Sequence, residues 1–176
     1  MEATHIVSKE KYGVLDVLGP TVEFLTSPQE SDAGYCVMRG IIPPGVSVPL
    51  HSHTDVESFY VISGYVQVLS QRGNKFEWLD AQAGDFVQVP SDTKHAFRNT
   101  SSEPVVQLIT TTPKLGRFFQ EIGRPITPGT LLPPPSPDYI EHFLRVAAKY
   151  RFWNGSPAEN AAVGINLFEQ PARRAG

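Results

Sequence analysis

A chain of 176 residues with 40% hydrophobic content carries enough apolar material for one well-filled core, so a single domain over 1–176 is expected. Its 15 basic and 18 acidic residues leave a net charge of -3 and are scattered without blocks, which argues against nucleic acid or an anionic membrane surface as partners. The only cysteine, Cys36, has no partner for an internal disulfide, no apolar stretch approaches the roughly 20 residues of a membrane span, and "MEATHIVSKE" does not read as a signal peptide, so a soluble cytoplasmic protein is expected.

In chain order, "YGVLDVLG" (12–19) and "TVEFLT" (21–26) are strand-like and are expected either to cover their own barrel or to pair with the edge of a second copy. His5 falls in a segment expected to fray at the surface. "GYCVMRGIIPPG" (34–45), "SFYVISGYVQVLSQRG" (58–73), "KFEWLDAQAGDFVQVP" (75–90) and "PVVQLITTT" (104–112) follow. They are short Val/Ile/Phe/Tyr-rich runs divided by Gly, Pro, Asn and Asp, the pattern of an all-β sandwich or barrel whose core spans about 31–112. Gly73-Asn74 lies between two of these runs and suits a tight hairpin turn with positive φ. Within the β region Arg39 is read as a solvated strand position, Trp78 as a packing residue and Cys36 as a small buried hydrophobe.

The chain changes character near residue 113, where a C-terminal helical extension (113–154) begins. "KLGRFFQEIG" (114–123) predicts a short helix ending at Gly. "RPITPGTLLPPPSP" (124–137) predicts an extended connector able to hold neither helix nor ladder. Ser136 as N-cap, Pro137 at the first helical position and Asp138 in the first turn introduce a helix with Ile140, Phe143, Leu144 and Ala147 on its apolar face, ending before Asn154-Gly155. We read that helix as cover for barrel surface or a dimer contact rather than a lid, with His142 at its surface and Trp153 beyond it as a packing residue.

The chemistry concentrates in "HSHTDVESFY" (51–60). Residues two apart on a strand share a face, so His51 and His53 point the same way, and a turn or bulge through Thr54-Asp55-Val56 brings Glu57 back to them. Continuing the alternation places Phe59 and Val61 on that face, which makes it an apolar interior with a polar cluster at one end. Ionisable groups there need a partner, and a divalent metal suits imidazole and carboxylate ligands. His95, in "PSDTKHAFRN" just past Pro90, supplies the fourth ligand.

These residues resemble the cupin family. The first family motif, G(X)5HXH(X)3-4E(X)6G, is met by Gly45, His51, His53, Glu57 and Gly64. The second, G(X)5PXG(X)2H(X)3N, is met by Gly84, Pro90, His95 and Asn99, with Asp92 in place of the second Gly. Asp tolerates a left-handed turn, so that departure touches local geometry alone. The resemblance implies a cupin double-stranded β-helix, a jelly-roll barrel with short C-terminal helices, holding one divalent ion (Fe, Mn, Ni, Co, Cu or Zn) on His51, His53, Glu57 and His95. "LGRFFQEIGRPI" (115–126) and "FLRVAAKY" (143–150) also resemble the C-terminal extension of single-cupin proteins similar to quercetin 2,3-dioxygenase.

The function that follows from this resemblance is a mononuclear dioxygenase that combines O2 with a small aromatic or enolic, flavonol-like substrate. Glu57 then doubles as acid or base toward a substrate hydroxyl. The aromatic residues around the motifs, Phe59, Phe97 and Phe86, with Tyr35 and Met38, suit a flat apolar substrate, and Phe59, Phe97 and Met38 are the substrate-contact candidates. The alternatives are a non-catalytic small-molecule-binding module and a cupin isomerase or decarboxylase. Exposed sheet edges and the habits of single-domain cupins make a homodimer the expected assembly.

Overall fold

A computed structural model describes residues 12–29, 34–127, 129 and 131–167 together with the backbone of 173–174, so His5 lies outside the described residues. The strands in chain order are β1 (Val14–Asp16), β2 (Thr21–Phe24), β3 (Cys36–Ile42), β4 (Ser47–Ser52), β5 (Glu57–Ser63) and β6 (Tyr65–Arg72). Next come β7 (Lys75–Gln82), β8 (Phe86–Val89), β9 (His95–Arg98) and β10 (Val105–Thr111). The helices α1 (Pro113–Ile122), α2 (Pro137–Tyr150) and α3 (Pro157–Ala162) alternate with the short strands β11 (Arg124–Ile126), β12 (Leu131–Leu132), β13 (Trp153–Asn154) and β14 (Arg173–Arg174).

Two antiparallel sheets face each other, one in the order β11-β1-β2-β3-β10-β5-β8 and the other β13-β4-β9-β6-β7, while β12 and β14 form a separate ribbon. Strand alternation sets the core. Cys36, Met38 and Ile42 on β3, Phe59 and Val61 on β5, Val66 and Val68 on β6, and Val105 and Ile109 on β10 turn inward and are buried in one cluster. A smaller cluster of Leu50, Leu69, Ala96 and Ile165 lies apart from it, packed by Trp78 and Trp153. Gly64 shows how tight the β5–β6 corner is: its φ is +86°, and a Cβ there would stand 2.6 Å from the Pro104 carbonyl oxygen.

The sheets draw strands from both flanks of the expected 31–112 barrel. β1 and β2 pair within their own chain, β2 on β3 and β1 on β2, so the N-terminal strands cover their own barrel. The Pro-rich connector departs from expectation, because Arg124–Ile126 pairs with β1 and Leu131–Leu132 pairs with β14. Proline is compatible with a ladder at a sheet edge, where its missing N–H costs no bond, and β11 is an edge strand. The hairpin turn at 73–74 forms as expected, with positive φ at Gly73 alone.

α1 starts at Thr112, whose hydroxyl accepts from Leu115 N, and α2 starts at Ser136, which caps Tyr139 N, with Pro at the first turn of both. The face that α2 buries is rotated from the expected one: Tyr139, Val146 and Ala147 are buried, while Ile140 and Leu144 are 44% and 51% exposed. Phe118 of α1 explains the rotation, since it gathers Phe143, Tyr150 and Phe152 at ring-centroid distances of 6.0, 5.4 and 4.8 Å and fixes which side of α2 meets the barrel. α2 is therefore barrel cover.

Tyr139 anchors that cover. Its hydroxyl donates to the Asp16 carbonyl at 2.9 Å, and Arg124 stacks 3.9 Å over its ring while bonding the Asp16 carboxylate at 2.6 Å. Burial first, and the Asp16 charge second, push the phenol up to about 12. The folded chain therefore keeps a proton that the unfolded chain releases near pH 10. Stability should fall by roughly 2–3 kcal/mol as pH rises from about 10 to about 12. Chemical denaturation across that range should show the loss, and Tyr139→Phe should lack it while being about 1 kcal/mol less stable at neutral pH. An unchanged alkaline profile in Tyr139→Phe would contradict the assignment.

Candidate metal centre

Motif one straddles the two sheets. His51 is the penultimate residue of β4 in the smaller sheet, and a β-bulge between Val48 and His51 aligns it opposite His95 of β9. His53 lies just past the strand, in the turn 53–56 that carries the chain across to β5 in the other sheet, where Glu57 is the first residue. The expected return of Glu57 is thus a crossing between facing sheets rather than a bulge along one strand. The four predicted ligands come together: one ligand atom from each of His51, His53, Glu57 and His95 falls within 4.8 Å of the others.

Each imidazole is held from behind by a backbone carbonyl. Nδ1 of His51 bonds Pro49 O at 2.7 Å, Nδ1 of His53 bonds Asp55 O at 2.9 Å, and Nδ1 of His95 bonds Thr93 O at 2.8 Å. A carbonyl only accepts, so each Nδ1 carries its hydrogen and each Nε2 is left as the ligating nitrogen. Nε2 of His53 and of His95 lie 3.2 and 3.3 Å from Glu57 Oε2, inside the cluster. The His95 nitrogen, though close enough for an ion pair, makes no aligned hydrogen bond and is fully buried. A bare nitrogen lone pair facing a carboxylate oxygen in a dry site is unfavourable unless a cation lies between them. That is the arrangement a divalent metal fits, and the donor set of three neutral imidazoles and one carboxylate suits a first-row ion.

The electrostatics agree. Burial, and the neighbouring His95 and His53, hold His51 well below the ordinary imidazole range, which keeps it neutral. Burial pulls His53 down as well, but its contact with the Glu57 carboxylate outweighs this and raises it. Burial pushes Glu57 up, yet His53 and His95 together hold it far below the usual carboxylate range. Protons and a divalent cation therefore compete for the same ligand atoms.

The second motif shapes the frame. Asp92 adopts φ 61°, the left-handed turn expected of it, and its N–H donates to the His53 carbonyl at 2.8 Å. Asn99 is structural: its amide donates to Ile42 O and Glu103 O, and its oxygen accepts from Ser101. A cavity of about 630 Å³ beside β6, β7 and β8 has His95 in its lining together with Val68, Leu79, Val87, Val89 and Arg72, while His51, His53 and Glu57 are not among its lining residues. Phe59 and Phe97 pack together at 4.7 Å in the core behind the ligands, and Met38 is fully buried. None of the three lines that cavity, whereas Phe86, 65% exposed, does. Arg39 faces out and pairs with Glu23 at 2.7 Å, Cys36 is buried with its thiol pushed up by burial, and His142 bonds the Glu121 carbonyl.

Sequence reasoning missed two contacts to the centre. Asp55 is only 4% exposed in the turn between ligands, and the Phe152 ring stands 5.2 Å from His53. A lone acid inside a ligand loop was a readable signal, but no spacing connects residue 152 to residue 53.

Residues 38–111 match the family model described as Cupin domain. The solved structure of a predicted oxalate decarboxylase from Thermotoga maritima is similar at TM-score 0.53 and 20% identity, covering 61% of this chain and 98% of that one. A Cupin 2 conserved barrel domain protein from Salinispora arenicola gives 0.52 and 20%, with 63% and 90% covered. Oxalate decarboxylase of Bacillus subtilis, whose Mn(II) centers have been characterised, gives 0.52 and 22%, covering 59% of this chain and 28% of that one. At these identities the likeness is one of fold. No curated protein matches the chain. Among the described residues no helix is long and apolar enough to cross a membrane.

Proposed function

We propose that this cupin-fold chain is a metal-dependent dioxygenase acting on a small aromatic or enolic substrate. The observation that carries the reading is the convergence of four ligand atoms, with His95 Nε2 buried and unpartnered beside Glu57 and the same histidine lining a cavity large enough for a small molecule. His51, His53, Glu57 and His95 would hold a divalent ion, which would supply Lewis-acid polarisation of a substrate oxygen. The chain's own residues do the rest. Val68, Val87 and Val89 give the cavity beside His95 apolar walls, Phe59 and Phe97 back the ligands, and Glu57 takes the proton of a substrate hydroxyl.

A second reading, a decarboxylase or isomerase of a small carboxylate, is favoured by Arg72, the only cation in the cavity lining among the described residues. Oxygen uptake and CO2 release by the metal-loaded chain, measured over flavonols, enediols and short dicarboxylates, separate the two. Uptake with a flavonol or enediol is the expected result. CO2 release from a dicarboxylate without net O2 consumption establishes the second reading, and a ligand recovered unchanged after long aerobic incubation makes the barrel a binding module.

A further inference from the structure

The turn that carries His53 to Glu57 is held from outside the barrel. The Asp55 carboxylate accepts a hydrogen bond from Thr112 Oγ1 and lies 3.3 Å from Lys114 Nζ, which itself bonds Thr54 Oγ1 at 3.0 Å. The backbone oxygen of the same residue receives His53 Nδ1 at 2.9 Å. Thr112 is the N-cap of α1 and Lys114 lies in its first turn, both just beyond the residues that match the family model. Lys114 Nζ also stands 5.0 Å from the Phe152 ring, the ring that packs on His53. Beside it, β13 pairs Trp153 with Ser52 and Asn154 with His51. Both histidines of the first motif are therefore in contact with the C-terminal extension.

A carboxylate buried this deeply is stable only while its partners hold it, so its side chain is pinned to the start of α1. Its carbonyl is pinned with it, and that carbonyl sets the tautomer and the plane of the His53 ring. Thr111 Oγ1 donates to Val56 O at 2.8 Å and Ser91 Oγ to Thr54 O at 2.7 Å, which clamp the two sides of the turn. Of these clamps the Asp55 pair alone couples the turn to the helical extension through charge.

We infer that Asp55, held by Lys114 and Thr112, is a positioning residue for His53, and that the C-terminal extension is thereby a working part of the metal centre as well as cover for the barrel. The inference rests on reading the cluster as a metal site. Its test is a Co2+ titration of the full chain, followed by visible absorption, in the parent, Asp55→Asn, Lys114→Met, Lys114→Arg and Lys149→Met. Lys149→Met is the control: it breaks the 2.7 Å pair with Glu121 in the same extension, and Lys149 meets the Tyr150 ring rather than His53, Asp55 or Phe152. Asp55→Asn and Lys114→Met should each bind Co2+ about tenfold or more weakly with displaced visible bands. Lys114→Arg should recover most of the affinity, and Lys149→Met should match the parent. Lys114 is 39% exposed at its side chain, so its substitution keeps the fold even where Asp55→Asn does not. Parental affinity and bands in Lys114→Met, or an equal loss in Lys149→Met, overturn the inference. A parent that binds no Co2+ overturns the metal reading instead.

Discussion

His95→Ala is expected to lower metal affinity by about a hundredfold or more while leaving a folded chain. The loss is large because His95 contributes one of three pre-oriented nitrogens, its Nδ1 already fixed on Thr93 O. Folding survives because the apolar clusters around Val61, Val66 and Leu115 hold the barrel together, and an imidazole with an unpartnered buried nitrogen adds little to them. His51→Ala should behave alike. Isothermal titration with Mn2+ or Zn2+, with circular dichroism as the check on folding, reads both effects. Parental affinity in His95→Ala would remove it from the ligand set.

Glu57→Gln separates binding from chemistry. The amide keeps the shape and one oxygen ligand, so a fraction of the metal affinity should remain, but it takes up no proton at any working pH. If Glu57 moves a substrate proton, turnover should fall by about 10² to 10⁴ at saturating metal. Full turnover in the metal-loaded variant would reject the acid-base role.

Much of this was legible in the sequence because the ligands obey local rules. His51 and His53, two residues apart, turn into one cluster as alternation suggests, although His53 lies just past the end of the strand, and the spacing to Glu57 and to His95 follows the two motifs. The left-handed turn at Asp92, the glycine that ends α1 and the Ser136 cap of α2 were also readable, since each depends on a few neighbouring residues. What failed was set by tertiary partners. The exposed Ile140 and Leu144 satisfy helical periodicity as well as Tyr139 and Val146 do, and only the Phe118 cluster decides which face is buried. Pro125 reads as a ladder breaker until β11 is known to lie at a sheet edge beside β1. The crossing from β4 to β5 looks like a bulge in one dimension because alternation carries no information about which sheet a strand joins. Asp55–Lys114 and Phe152–His53 are long-range pairs that no local pattern announces.

His51, His53, Glu57 and His95 are expected to hold one divalent transition-metal ion. Elemental analysis of the chain purified without added metal, before and after chelator treatment and reconstitution, tests it most directly. Close to one ion per chain is expected, lost on chelation with a drop in thermal stability, and restored to the same stoichiometry on reconstitution in the parent but not in the His51→Ala/His95→Ala double variant. A parent that takes up no stoichiometric metal, or a double variant that reconstitutes as fully as the parent, would contradict it.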